Sequence, residues 1–204
     1  MSLLNKKKYE GACALFYDYE IRNKEGKLIK KQKLTESKSF VKAFIQILAL
    51  NIGSLTISII DTENIVRTIT ATRTCEMTGS ANLSTRGLVV GSGLNAVTIN
   101  DYQLQTKIAH GITAGTLQYG ASTVALPSFT TTTGTIIVTR VFSNGSGNTI
   151  TINEIGIYAF CSNSSRYFCV ARDIPTPIVL ANGEQLTLNY TIGVTIWKNQ
   201  KSKN

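Results

Sequence analysis

The residue types that do chemistry are few in this chain and poorly spaced for it. The only histidine, His110, is followed directly by Gly111 in what reads as a turn. Nucleophilic catalysis needs a base beside its nucleophile, so a lone turn histidine predicts no triad. Four cysteines, Cys13, Cys75, Cys161 and Cys169, form no CxxC pair and have no histidine at zinc spacing, which predicts no metal site. Cys161 and Cys169 flank Ser162-Asn163-Ser164-Ser165 and could face each other across a hairpin, but two half-buried free thiols are the reading taken here, with Cys13 and Cys75 as core filler. Gly91-Ser92-Gly93 has the look of a phosphate loop, yet no third glycine follows at GxGxxG spacing and no Gly-Lys-Ser/Thr occurs, so a strand-ending turn is expected. Asn-x-Ser/Thr matches at Asn82, Asn144, Asn163 and Asn189 are what a Ser/Thr/Asn-rich chain produces by chance. Together these residues predict no enzyme and no cofactor.

Charge is distributed unevenly. Residues 1–42 hold 11 Lys+Arg against 5 Asp+Glu, residues 43–196 hold 7 against 7, and residues 197–204 hold 3 against none, so the net +9 lies in the two end segments. Lys6, Lys7, Lys8, Lys198, Lys201 and Lys203 are therefore candidate docking arms, with plain solvated arms as the alternative. An acidic protein surface is the favoured partner and nucleic acid the second, because arginine is scarce there and aromatics are not interleaved as stacking platforms. Lys27, Lys30, Lys31 and Lys33 are explained without a partner, as charges that guard an exposed edge strand. No stretch of about 18 apolar residues occurs, so no membrane partner is expected, and acidic and aromatic residues stand where a signal peptide would need its apolar run.

The elements that must position these residues are mostly strands. Residues 12–22 alternate in part, Asn23 to Gly26 supply a turn, and Lys27 to Leu34 return, which predicts an N-terminal hairpin. Ser37 to Ser39 offer N-cap side chains ahead of Phe40, Phe44, Ile47 and Leu48 on one helical face, and Asn51 with Gly53 gives a stop. This predicts one short helix packed on a sheet. From Ser54 onward the pattern is short strands and turns: Leu55–Ile60 with Ile65–Arg73, then Leu88–Val90, Thr135–Phe142, Thr149–Phe160, Arg166–Arg172 and Gln185–Trp197. The fold expected is all-β, an antiparallel jelly-roll-like sandwich. Its parts are a basic arm and hairpin over 1–36, a helix over 37–53, a main sandwich over 54–197 and a basic tail over 198–204.

Three strings, Leu88 to Ile108 (LVVGSGLNAVTINDYQLQTKI), Arg140 to Tyr158 (RVFSNGSGNTITINEIGIY) and Ala171 to Ile192 (ARDIPTPIVLANGEQLTLNYTI), with the upstream SFVKAFIQIL, resemble structural proteins of tailed bacteriophages and their uncultured relatives. The resemblance implies a β building block of a virion, made in the host cytoplasm, associated with the capsid or the neck and tail, and partnered by copies of itself and other virion proteins. Within these strings Glu154 reads either as a buried-looking acid paired with Arg140 or Arg172, or as an exposed strand acid. The alternative is a receptor- or glycan-binding adhesin module, for which the candidate loop contacts are Tyr102, Tyr119, Phe129 and Tyr167.

Overall fold

The computed structural model describes residues 13–37, 39–53, 55–70, 75–162 and 166–195. The chain runs β1 (Cys13–Arg22), β2 (Leu28–Ser37), α1 (Lys42–Gly53), β3 (Thr56–Ile60), β4 (Val66–Thr70), β5 (Cys75–Glu76), β6 (Gly87–Gly91), β7 (Gln118–Val124), β8 (Ser128–Phe129), β9 (Thr133–Ser143), β10 (Ile150–Ile152), β11 (Glu154–Cys161), β12 (Arg166–Asp173), β13 (Ile178–Leu180) and β14 (Gln185–Thr195). All strand pairs are antiparallel. One sheet has the order β2-β1-β14-β9-β7, with β8 also on β9; a second is centred on β11, which pairs with β12 on one side and with β6 and β5 on the other. Two ribbons, β3-β4 and β10-β13, complete the set. This is an antiparallel all-β sandwich; the strand order does not by itself make it a jelly roll.

Alternation explains the first sheet. Leu15, Tyr17, Tyr19 and Ile21 of β1 are buried on one face, and their register partners Ile192, Tyr190, Leu188 and Leu186 of β14 extend the same apolar surface. The second sheet is buried on both faces at its centre, which is why GLVVG of β6 and nearly all of EIGIYAFC in β11 are apolar or small. The sheets meet closely at Gly87, whose φ is +76° and where a β-carbon would collide with Ser122 of β7.

Four sequence expectations are corrected. The N-terminal hairpin is not appended to the domain: β1 pairs with β14 along its whole length and sits inside the larger sheet. Its partner lies at the far end of the chain, and a local hairpin signal carries no information about that. The helix begins at Lys42, since the Ser37 and Ser39 hydroxyls donate to Asp173 instead of capping it. Its core face is Ala43, Ile47 and Leu50, with Phe44 stacked on Phe40 at 3.7 Å and Leu48 exposed. Residues 149–160 divide at Asn153 into β10 and β11, which belong to different sheets.

The fourth correction concerns the cysteines. Cys161 is bonded to Cys75 across the β5–β11 pair, Cys169 is a buried free thiol, and Cys13 is exposed. Across the β11–β12 hairpin Cys161 faces Arg166 and Cys169 faces Tyr158, so the register keeps Cys161 and Cys169 apart. Because the bond links residues 86 apart, its loss is expected to lower stability by about 2–4 kcal/mol through a less restricted unfolded chain. Thermal unfolding with and without reductant checks this, an unchanged midpoint being the contrary result.

The edges of the sheets are managed differently. β2 is an outer strand carrying Lys30, Lys31 and Lys33, as expected of a guarded edge. The outer edge of β12 is covered: Val41 N–H donates to Val170 O (3.1 Å), Arg172 N–H to Ser39 O (3.1 Å) and Thr62 N–H to Tyr167 O (3.0 Å). The β3–β4 turn is held by Asp61, which accepts from the Glu63 and Ile65 amides and pairs with Arg67 at 2.6 Å. Burial opposes that carboxylate's charge, and these donors outweigh it, holding its pKa below the ordinary value.

Candidate functional site

A long loop, residues 92–106, is fastened to the second sheet by one buried carboxylate. Glu154 is wholly buried at the start of β11. Its Oε1 accepts from the Gly93 and Thr106 amides (3.0 and 2.6 Å), and its Oε2 from the Gln105 amide and Arg172 Nε (both 2.9 Å). Arg172, one strand over in β12, also reaches Asp101 Oδ2 (2.9 Å) and Asn95 O (3.0 Å). Asp101 in turn accepts from the Thr98 amide and hydroxyl, and Tyr158 OH accepts from the Leu104 amide at 2.7 Å. Burial opposes the Arg172 charge, but the two carboxylates outweigh it and raise its pKa. A β-carbon on Gly91 or Gly93 would lie 2.5 or 2.6 Å from Glu154 Oε1. The Gly91-Ser92-Gly93 run thus cradles an anion, and the anion is the chain's own carboxylate.

The loop forms one wall of a cleft of about 660 Å³. Leu94, Val97 and Ile99 of the loop line it together with Tyr17, Glu36, Phe40, Asp173 and Ile174. Asp173 is 7% exposed. It accepts from Ser37 Oγ (2.6 Å), Ser39 Oγ and Tyr190 OH (2.8 Å). Burial, then the Asp173 charge, pushes the Tyr190 and Tyr17 hydroxyls up in pKa, so both phenols stay neutral.

A second buried charge ties the sheets together. Arg140 of β9, 0% exposed, donates to five carbonyls: Nε to Gly120 (2.7 Å), Nη1 to Arg86 and Leu88 (both 2.8 Å), and Nη2 to Ser80 (3.2 Å) and Leu83 (2.6 Å). It also stacks over the Tyr119 ring at 4.8 Å. Burial pushes its pKa down to about 10, which leaves it a cation at neutral pH.

The sequence candidates are dispersed. Lys6, Lys7, Lys8, Lys198, Lys201 and Lys203 lie outside the described residues. Tyr119 is not a loop contact: it is 1% exposed in β7, edge-on to Phe142 at 4.9 Å, with its hydroxyl donating to Ile108 O at 2.6 Å. Tyr102 borders a cavity with Asn100 and Asp101, Tyr167 borders another of about 330 Å³ with Lys107 and Tyr158, and Phe129 stands 77% exposed beside Gly134. His110 is structural, its Nδ1 accepting from the Tyr119 amide at 3.1 Å. Among the described residues no group of three His, Cys, Asp or Glu side chains is placed to hold a metal ion.

Of the two partners expected for Glu154, the structure selects Arg172. Sequence reasoning missed Glu36, Asp173 and the Ser37–Ser39 pair, which come together only through long-range packing. Arg140 had a visible signal, a charge between Val138 and Phe142 on the apolar face of an alternating strand. No family model, curated protein or solved structure matches this chain.

Proposed function

We propose that this protein is a non-enzymatic structural subunit of a tailed-phage particle, joined to the capsid or the neck and tail, which works by self-association and by docking onto neighbouring virion proteins. The observation that carries the assembly part is an uncovered apolar surface. Helix α1 buries Ala43, Ile47 and Leu50, yet Ile45, Leu48 and Ile52 also line up at helical spacing and are 58%, 44% and 77% exposed. The neighbouring β3–β4 ribbon adds exposed Ile60 and Val66. A helix that is apolar on both faces beside an apolar ribbon is what a subunit interface looks like before its neighbour arrives. The phage part rests on the three strings that resemble phage structural proteins, which here supply the loop-fastening network and the core strands β6, β9, β11 and β14.

An adhesin would use exposed aromatics gathered on one surface, and of the four candidates Tyr119 is buried in the core. Purified particles of the source phage should contain the chain in many copies; its absence from particles, together with saturable glycan binding by the free protein, would favour the adhesin instead. Replacing Ile45, Leu48 and Ile52 together by lysine is expected to leave the fold intact and weaken self-association at least about tenfold, as read by light scattering across a concentration series. Unchanged association would remove the stripe from the interface.

A further inference from the structure

We propose that two copies of this chain join through α1 itself, packed antiparallel across a two-fold axis. Leu48 then meets Leu48 of the second copy, and Ile45 meets its Ile52. This geometry rests on the self-association reading and names the element and the orientation in which copies meet.

The helix is apolar on two sides and mismatched in charge at both ends. Ala43, Ile47 and Leu50 face the core, while Ile45, Leu48 and Ile52, at 58%, 44% and 77% exposure, form a separate stripe. At about 3.6 residues per turn, the two sets point in opposite directions. The stripe carries no charge to repel an identical stripe, and side-chain ridges at the same spacing interlock when two helices lie nearly antiparallel. Gln46 Nε2 donates to Ser58 O at 2.9 Å and ties α1 to β3, so the exposed Ile60 and Val66, partners in the β3–β4 register, extend the apolar surface beyond the helix.

Charge then selects the orientation. Lys42 is the only charged residue of α1; it is exposed, and among the described residues it forms no ion pair. It stands in the first turn, where the helix dipole disfavours a cation, and the last turn has no basic residue to meet the dipole's negative end. Antiparallel packing relieves both ends, since each Lys42 is carried to the C-terminal turn of the other helix. A parallel pair would set the two lysines side by side. With a rise of about 1.5 Å per residue, Lys42 lies ~9 Å before Leu48 and Gly53 ~7.5 Å after it, so the two come level when Leu48 is on the axis. Ile45 and Ile52, about 4.5 and 6 Å from Leu48, come level in the same way.

Cysteine pairing in the full chain reads this geometry. Cys13→Ser removes the exposed free thiol and leaves the buried Cys169 and the Cys75–Cys161 bond in place. In that background Ile45→Cys, Leu48→Cys and Ile52→Cys are made singly and oxidised by air with a copper catalyst, each bond forming as two thiols give up their hydrogens to oxygen. Leu48→Cys alone should yield a covalent dimer, and so should Ile45→Cys mixed with Ile52→Cys. Ile45→Cys alone and Ile52→Cys alone should not, because their copies lie about 9 and 12 Å apart along the helices, beyond the ~3.5–4.5 Å between β-carbons that a disulfide spans. Cross-links of all three variants with themselves would mean a parallel pair and overturn the proposal. No cross-link in protein that still associates would overturn it too, and would leave self-association standing. Lys42→Glu gives an independent reading: an anion suits the first turn of its own helix, so the thermal midpoint of dilute protein should hold or rise while association weakens at least about threefold. Association unchanged by Lys42→Glu would overturn the orientation. A wild-type chain that never associates overturns both the pairing and the reading it rests on.

Discussion

Replacing Glu154 by leucine is expected to remove about 3–5 kcal/mol of folding stability, a large share of the ~5–15 kcal/mol typical of a domain. Leucine fills similar space but accepts no hydrogen bond. The Gly93, Gln105 and Thr106 amides would lose their acceptor together, and the Arg172 charge would keep only Asp101 and backbone carbonyls. Each orphaned buried donor costs about 1–3 kcal/mol, and part of that returns as the loop loosens and admits water. Urea unfolding reads the loss directly, and hydrogen exchange should show the 92–106 amides opening first. Adding Arg172→Leu should cost less than the sum of the two single changes, because both side chains belong to one network. A loss below about 1 kcal/mol for Glu154→Leu would mean that the loop does not depend on this carboxylate.

Arg140 carries the second large effect. Arg140→Leu is expected to cost about 3–5 kcal/mol, since five carbonyls from β6, β7 and the segment before β6 lose one shared donor. Arg140→Lys should recover little of this. A lysine keeps the charge, but its ammonium has three donors at one point and cannot span five carbonyls arranged around a planar fork. If Arg140→Lys were as stable as the wild type in urea, charge alone would hold the site and the account of the fork would fail. The structural contrast with Glu154 is informative: one network fastens a loop to a single sheet, the other fastens the 80–88 segment and both sheets to one side chain.

Local patterns were legible and long-range partnerships were not. The β3–β4 ribbon was readable because Asp61-Thr62-Glu63-Asn64 encodes its own turn, down to an Asn64 with a φ of +63°. Gly91-Ser92-Gly93 was readable as a strand end for the same reason, and its role as a cradle was hidden because Glu154 lies 61 residues on. The pairing of β1 with β14 and the Cys75–Cys161 bond join parts of the chain that share no local signal, so the hairpin read as an appendage and the cysteines as thiols. The cleft follows the same logic. Its lining comes from β1, β2, Ser39 and Phe40 ahead of α1, the 94–99 stretch and the end of β12, and no spacing rule connects them. The α1 stripe shows the opposite failure: spacing groups Leu48 with the core, whereas the buried face is Ala43, Ile47 and Leu50 and Leu48 is exposed.

Sedimentation velocity of the intact chain over a hundredfold range of concentration tests self-association most directly. The account predicts a mass that grows with concentration to a closed multiple of the 22.2 kDa chain, and that falls back to the monomer in the Ile45, Leu48 and Ile52 lysine variant. A wild-type species that stays at one chain across the whole range, at low salt and with the disulfide intact, would contradict it.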